Sequence, residues 1–110
     1  MKTIKSRIWI EQDGNVYLGY GRIQLLKKIG ETQSISAAAK ALNMSYKKAW
    51  KLMDAMNRTA EEPLVTKNIG GKDGGGTQLT EHGKQVIARF EKINSACEAF
   101  LEKQLEAVDL

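Results

Sequence analysis

The 110-residue sequence has very few of the residues that build covalent or metal-stabilised folds, since it contains one cysteine, one histidine and one proline. A single cysteine excludes an internal disulfide and indicates a reducing, cytoplasmic setting. One histidine and one cysteine far apart in sequence offer no metal site, and no paired carboxylates or serine nucleophile motif indicates an enzyme. No apolar stretch approaches the roughly 20 residues that span a bilayer, and the charged N-terminus is not a signal peptide. We therefore expect no metal, cofactor, catalytic site or membrane segment.

Positive charge is plentiful, and it lies in the first half of the chain. Residues 1–60 hold 11 Lys and Arg against 4 Asp and Glu, whereas residues 81–110 hold 4 against 6. A basic region beside a slightly acidic one fits binding to a polyanion. The apolar content of 42% and the charged content of 27% are typical of a folded globular protein.

The periodicity of apolar residues predicts a mainly α fold with a small β component. Alternation from Ile4 to Glu11, a Gly14-containing turn and the run Val16-Tyr17-Leu18 predict an N-terminal hairpin. Helical spacing then predicts three helices, which span Arg22 to Gly30, Ala37 to Leu42 and Tyr46 to about Asn57.

The second half of the chain predicts a glycine-rich hairpin and one long helix. Leu64–Lys67 and Thr77–Thr80 have the composition of short strands, and residues 68–76 between them contain five glycines. Thr80 is a good N-cap for a helix from about Glu81 towards Leu105. The predicted division is therefore a winged helix–turn–helix domain over 1–80 and a C-terminal helix over 81–110.

The second and third helices have the composition of a helix–turn–helix motif. Small residues at Ala38, Ala39 and Ala41 would let two helices cross closely, and Asn43-Met44 makes a short break between them. Residues 45–58 hold three Lys and one Arg against one Asp, which suits a helix that enters the major groove.

Two blocks of sequence resemble a known family. SISAAAKALNMSYKKAWKLMDAMN, followed by IGGKDGGGTQLTEHGKQVI, resembles the N-terminal DNA-binding domain of ModE-type, molybdate-responsive regulators, which are related to LysR-type regulators. The resemblance runs from about Gly19 to Ile87. It implies a winged fold, with the third helix in the major groove of double-stranded DNA, the glycine-rich hairpin as wing and the long helix pairing two subunits.

One departure from that family concerns molybdate. The family's molybdate-binding modules follow the DNA-binding domain, whereas this chain ends at Leu110, directly after the long helix. We therefore expect no molybdate site in the chain. Met1 and the self-contained last helix favour a stand-alone protein over a piece of a longer regulator.

The residues expected to contact DNA are polar, cationic or aromatic side chains on the two helices and the wing. They are Ser34, Ser36, Ser45, Tyr46, Lys47, Lys48, Trp50, Lys51, Lys67 and Lys72. Trp50 shares the outward stripe of the third helix, but a large aromatic there could equally pack against the first strand. A nucleotide-binding loop at the glycines is excluded, because no Gly-Lys-Ser/Thr sequence follows them.

The last helix carries a heptad-like seam. Its apolar residues recur at steps of four and three, at Val86, Phe90, Ile93, Cys97 and Phe100. A helix of about 25 residues measures about 37 Å, which is longer than so small a domain is wide. We therefore expect part of this seam to form a homodimer interface.

The sequence thus predicts a dimeric, sequence-specific DNA-binding regulator of transcription. An alternative is a protein-interaction module that docks partners on the apolar last helix. A switch with a small ligand at the dimer interface is a third hypothesis, for which the sequence shows no convergent polar pocket.

Overall fold

The computed structural model describes residues 1–67 and 76–110. The described strands are β1 (Trp9–Gln12), β2 (Asn15–Gly19), β3 (Val65–Lys67) and β4 (Thr77–Leu79). The described helices are α1 (Tyr20–Thr32), α2 (Ile35–Ala41), α3 (Tyr46–Thr59) and α4 (Glu81–Ala107). This mainly α architecture with two small hairpins confirms the predicted fold class. The predicted DNA contact at Lys72 and the glycines at 70, 71, 74 and 75 lie outside the described residues.

The N-terminal hairpin forms where the sequence predicts it, but its first strand is shorter. Strands β1 and β2 pair antiparallel around a two-residue loop in which both Asp13 and Gly14 have positive φ, as in a type I′ turn. The alternation predicted a strand from Ile4, whereas β1 begins at Trp9, opposite Gly19. Since β2 gives way to α1 after Gly19, the residues before Trp9 have no strand to pair with.

The sequence predicted that α1 ends at Gly30, but the structure shows that it does not. The helix continues to Thr32 and ends at Gln33, whose left-handed backbone lets its N–H donate to the carbonyl of Ile29. A Cβ at position 30 would lie 3.0 Å from the side chain of Leu79. The glycine therefore lets β4 approach the helix, and α1 tolerates it within its last turn.

The helix–turn–helix is built as its sequence predicts. Ser34 caps α2 by accepting a hydrogen bond from the N–H of Ala37, and Asn43 makes the turn in a left-handed conformation. Ala38 and Ala39 are buried together with Ala49 of α3, so small residues do lie where the helices pack. Ala41, which was expected to join them, is exposed.

One hydrophobic core joins all four helices and both hairpins. Its buried members are Leu18, Ile23, Leu25, Leu26, Ile29, Ile35, Ala38, Ala39, Ala49, Met53, Met56, Leu64, Val65, Val86, Ile87 and Phe90. The first turns of α4 therefore complete the core of the winged body. Gly83 permits this packing, because a Cβ at this position would overlap the carbonyl oxygen of Leu64.

Beyond Phe90, α4 leaves the core and extends the molecule to a length of 60 Å. The N-terminal residues lie beside this part of the helix, where Ser6 Oγ is 3.9 Å from Cys97 Sγ. In the part of the chain that the structure describes, no helix has both the length and the apolarity needed to cross a membrane.

Candidate nucleic-acid interface

Helix α3 has two faces of opposite character. Ala49, Met53 and Met56 are buried against the rest of the protein. The other side, which we call the outer face of α3, consists of Tyr46, Lys47, Trp50 and Lys51, all of them exposed. Tyr46 is 54% exposed and Trp50 is 39% exposed, so Trp50 is not buried against the first strand. The helix thus presents two aromatic rings and two cations on a rigid support.

The N-terminus of α3 is fixed by Ser45. Its hydroxyl accepts a hydrogen bond from the N–H of Lys48 at 3.1 Å, which satisfies one of the free donors of the first turn. Ser45 and Lys48 are themselves exposed. The predicted contact residues from 45 to 51 therefore lie on one accessible stretch of helix.

The three lysines of α3 form no ion pairs with the other side chains that the structure describes. The helix's single carboxylate, Asp54, pairs with Arg58 one turn later at 3.1 Å. Among residues 1–67 and 76–110, no carboxylate forms an ion pair with Lys47, Lys48 or Lys51. By contrast, Lys28 and Lys84 each pair with a glutamate of their own helix. The α3 lysines are therefore available to an external anion.

Of the two serines predicted on α2, only one is a cap. Ser34 is half-buried and its hydroxyl is engaged with Ala37, whereas Ser36 lies within the helix and is exposed. Ser34 directly precedes α2 and Ser36 lies in its first turn, so both are at the end of the helix where backbone N–H groups favour anions.

Strands β3 and β4, which we call the wing stem, carry the remaining described candidate. Lys67 is exposed at the end of β3, opposite Thr77. The stem is fixed to three parts of the protein. The N–H of Thr77 donates to Gln33 O before α2, and the N–H of Thr80 at the start of α4 donates to Leu64 O. Asn57 of α3 binds Val65 of β3.

Sequence reasoning did not identify Asn57, whose side chain joins α3 to the wing stem. It lies near the end of α3, half-buried, and its side chain makes three hydrogen bonds to Leu64 and Val65. An asparagine in that position gives no sequence signal, because the contact depends on how the chain folds back after Pro63.

The residues of the predicted dimer seam differ in their exposure to solvent. Val86 and Phe90 are only 8% and 5% exposed, because they pack into the chain's own hydrophobic core. Ile93 and Phe100 are 52% and 61% exposed, and Cys97 is half-buried beside Ser6. A surface open to a second subunit therefore begins at Ile93.

The sequence that forms α2, α3 and the wing stem matches a known family. A sequence profile of the bacterial regulatory helix-turn-helix protein, lysR family, matches residues 21–84. The chain belongs to this family. The matched residues run from α1 through both motif helices and the wing stem into the first turn of α4. The predicted class of DNA-binding transcriptional regulator is thereby confirmed at the level of the family.

Curated relatives confirm the resemblance to ModE-type proteins. The chain is 38% identical over 104 residues to the molybdenum transport protein ModE of Azotobacter vinelandii, covering 94% of this chain and 38% of that protein. It is 36% identical over 111 residues to the transcriptional regulator ModE of Haemophilus influenzae, covering 100% and 44%. The DNA-binding transcriptional dual regulator ModE of Escherichia coli K12 is 44% identical over 70 residues, covering 64% and 27%. The chain thus spans less than half the length of these relatives.

A solved structure is similar in fold. The crystal structure of a LysR family transcriptional regulator superimposes with a TM-score of 0.58 at 21% sequence identity, and the match covers 82% of this chain and 29% of that one. At this identity the likeness supports the winged helix–turn–helix fold alone.

Proposed function

We propose that this chain binds double-stranded DNA in a sequence-specific manner and regulates transcription as a homodimer. The observation that carries the proposal is the outer face of α3, where exposed Tyr46, Lys47, Trp50 and Lys51 stand on a helix whose opposite side is buried. The major groove of B-DNA, about 12 Å wide, admits one such helix. Lysines then reach phosphates or guanine edges, and the aromatic rings contact sugars or thymine methyl groups.

The wing stem is proposed to contact the DNA backbone beside that groove. Lys67 is the described cation that supports this role, and Ser34, Ser36, Ser45 and Lys48 are proposed to contribute phosphate contacts from the helix N-termini. Because each neutralised phosphate releases counterions, the affinity should fall steeply as salt is raised.

Homodimerisation is proposed to use the exposed part of α4. Ile93 and Phe100 are large apolar residues that the described protomer leaves open to solvent. A two-fold pairing of these helices would cover them and place two α3 helices one helical turn of DNA apart, or a multiple of it. Residues 1–80, together with the first turns of α4, would then form each DNA-binding unit.

The names of the relatives support regulation rather than catalysis. The Escherichia coli relative is described as a DNA-binding transcriptional dual regulator, and we propose the same class of activity for this chain without an enzymatic step. We propose no molybdate site within the chain. Because bacterial DNA lies in the cytoplasm, we propose that this chain also acts there.

The test is selection of the purified protein on a pool of random duplexes at near-physiological salt, followed by sequencing. We expect an enriched palindrome with half-sites one helical turn apart. The Lys47→Ala plus Lys51→Ala variant should lose specific binding and keep the dimer, because the removed charges lie on the outer face of α3.

The matched control is Lys28→Ala plus Lys84→Ala, which removes two lysines that already pair with glutamates. This control should bind the selected palindrome nearly as the parent protein does. Normal binding by the Lys47 and Lys51 variant would show that α3 is not the recognition helix.

One observation favours a second function, a protein-docking module. The apolar side chains of Ile93 and Phe100 would suit a protein partner as well as a second copy. Three results together would favour this function over DNA recognition. The selection would enrich no duplex, DNA binding would be weak and salt-sensitive, and a stoichiometric protein partner would be captured on α4.

A further inference from the structure

The carboxamide of Asn57 joins the end of α3 to the wing stem. Its Oδ1 accepts hydrogen bonds from the N–H of Leu64 at 2.8 Å and from the N–H of Val65 at 3.2 Å. Its Nδ2 donates to the carbonyl oxygen of Val65 at 2.9 Å. Both the oxygen and the nitrogen of this carboxamide are therefore engaged, by Leu64 and by Val65, the first residue of β3.

These bonds give β3 a partner on its open edge. Val65 pairs with Leu79 across the two-stranded sheet, so β4 lies on one side of it only. On the other side, Asn57 binds both the N–H and the carbonyl of Val65, as a neighbouring strand would. Since Leu64 and Val65 are buried, their N–H groups would lack an acceptor without Asn57.

The same asparagine shares its helix with the proposed DNA-contacting residues. Asn57 lies two turns after Trp50 and Lys51, and α3 is continuous from Tyr46 to Thr59. Lys67, the exposed cation of the stem, lies two residues after Val65 on β3. Asn57 thus connects the outer face of α3 to Lys67 through one rigid helix and one short strand.

We infer that Asn57 is a positioning residue that holds the wing stem at a set angle to α3, so that both contact one DNA duplex at the same time. The inference rests on the proposed function. Two contact surfaces on one rigid body bind cooperatively, because the second contact costs little further ordering once the first is made. A stem released from α3 would lose that advantage even with every DNA-contacting side chain intact.

The test is a pair of double-mutant cycles on the selected palindrome, measured as dissociation constants over a range of salt. In the parent protein, Lys67→Ala should weaken binding and lower the slope of log affinity against log salt by about one, as expected for one phosphate. Asn57→Ala should weaken binding about tenfold. Adding Lys67→Ala to Asn57→Ala should change little more, because the stem is already displaced.

A second cycle separates positioning from general loss of structure. Lys47→Ala combined with Asn57→Ala should be additive, since Lys47 lies on α3 and does not depend on the stem. Thr59→Ala is the matched control at the same helix end, because its hydroxyl binds Ala55 O and does not touch β3. It should keep the affinity and the salt slope of the parent protein.

Asn57→Asp keeps the test usable if the alanine variant fails to fold. The carboxylate retains both accepted hydrogen bonds and replaces the donor to Val65 O with an acceptor that repels it. This variant should remain folded, and Lys67→Ala should weaken DNA binding less in the Asn57→Asp background than in the parent protein.

Two results would overturn the inference alone. One is an additive Asn57 and Lys67 cycle in a protein that selects a palindrome, and the other is a Lys67→Ala variant that binds like the parent. Failure of the parent protein to enrich any duplex would instead overturn the proposed function, and the inference with it.

Discussion

The two halves of α4 carry one continuous apolar repeat but meet different surroundings. In the first half, Val86 and Phe90 are 8% and 5% exposed within the core of the winged body. In the second half, Ile93 and Phe100 are 52% and 61% exposed. A repeat of this kind shows which face of a helix is apolar, whereas what covers that face depends on where the rest of the chain lies. The comparison can be tested residue by residue.

The largest effect is expected in the buried half. Phe90→Ala should lower the free energy of unfolding by about 3–5 kcal/mol, because it removes a buried ring and leaves a cavity. Urea denaturation followed by circular dichroism measures this loss. Phe100→Ala is the control, and at protein concentrations too low for dimers it should unfold as the parent protein does. Equal losses from both substitutions would contradict the division of α4 into two halves.

Substitutions in the exposed half of α4 should change dimer formation rather than the stability of the fold. Phe100→Ala is expected to raise the dimer dissociation constant about tenfold or more, since large buried aromatics carry much of the energy of an interface. Sedimentation equilibrium measures that constant, with Lys103→Ala as an exposed control on the same half of α4. A parent protein that stays monomeric at high concentration would contradict a dimer through this surface.

The start of α4 offers a smaller effect. Thr80 accepts from the N–H of Gly83 at 2.9 Å, and its hydroxyl donates to Pro63 O at 2.7 Å. Thr80→Ala should therefore lower the free energy of unfolding by about 1 kcal/mol, as is usual for a lost N-cap. Ser95→Ala on the exposed half caps nothing and should leave stability nearly unchanged. Similar thermal midpoints for the two variants would argue against the cap.

The smallest effect is expected where the two halves meet. Glu91 pairs with Lys27 of α1 at 2.9 Å, and the hydrogen bond and charge of this carboxylate raise the pKa of Lys27. A lysine pKa raised by folding adds stability below the usual lysine range, and that stability is lost as the pH rises through the folded-state pKa. Both groups are exposed, so the contribution is small and screened by salt.

Glu91→Gln should thus lower the thermal midpoint slightly at neutral pH and low salt. The difference from the parent protein should shrink in 1 M salt, where the Debye length is about 3 Å, and again at strongly alkaline pH. A difference that persists under both conditions would mean that Glu91 acts through packing rather than charge.

Local signals in the sequence were sufficient for most of the fold. Thr80 is an N-cap as predicted, and Asp13-Gly14 makes the predicted turn. These features depend on residues within a few positions of each other, so the local sequence is enough to predict them. The outer face of α3 follows likewise from helical spacing.

Tertiary packing decided the features that sequence reasoning missed. Gly30 locally predicts a helix end, but α1 continues to Thr32, and the side chain of Leu79 lies against Gly30. Asn57 has no local signal, since its partners Leu64 and Val65 approach only when the chain folds back after α3. The sequence by itself determined the caps, turns and apolar stripes, because these arise from bonds and periodicities within one element. Contacts between elements decided which stripe is buried and which side chain joins α3 to the wing stem.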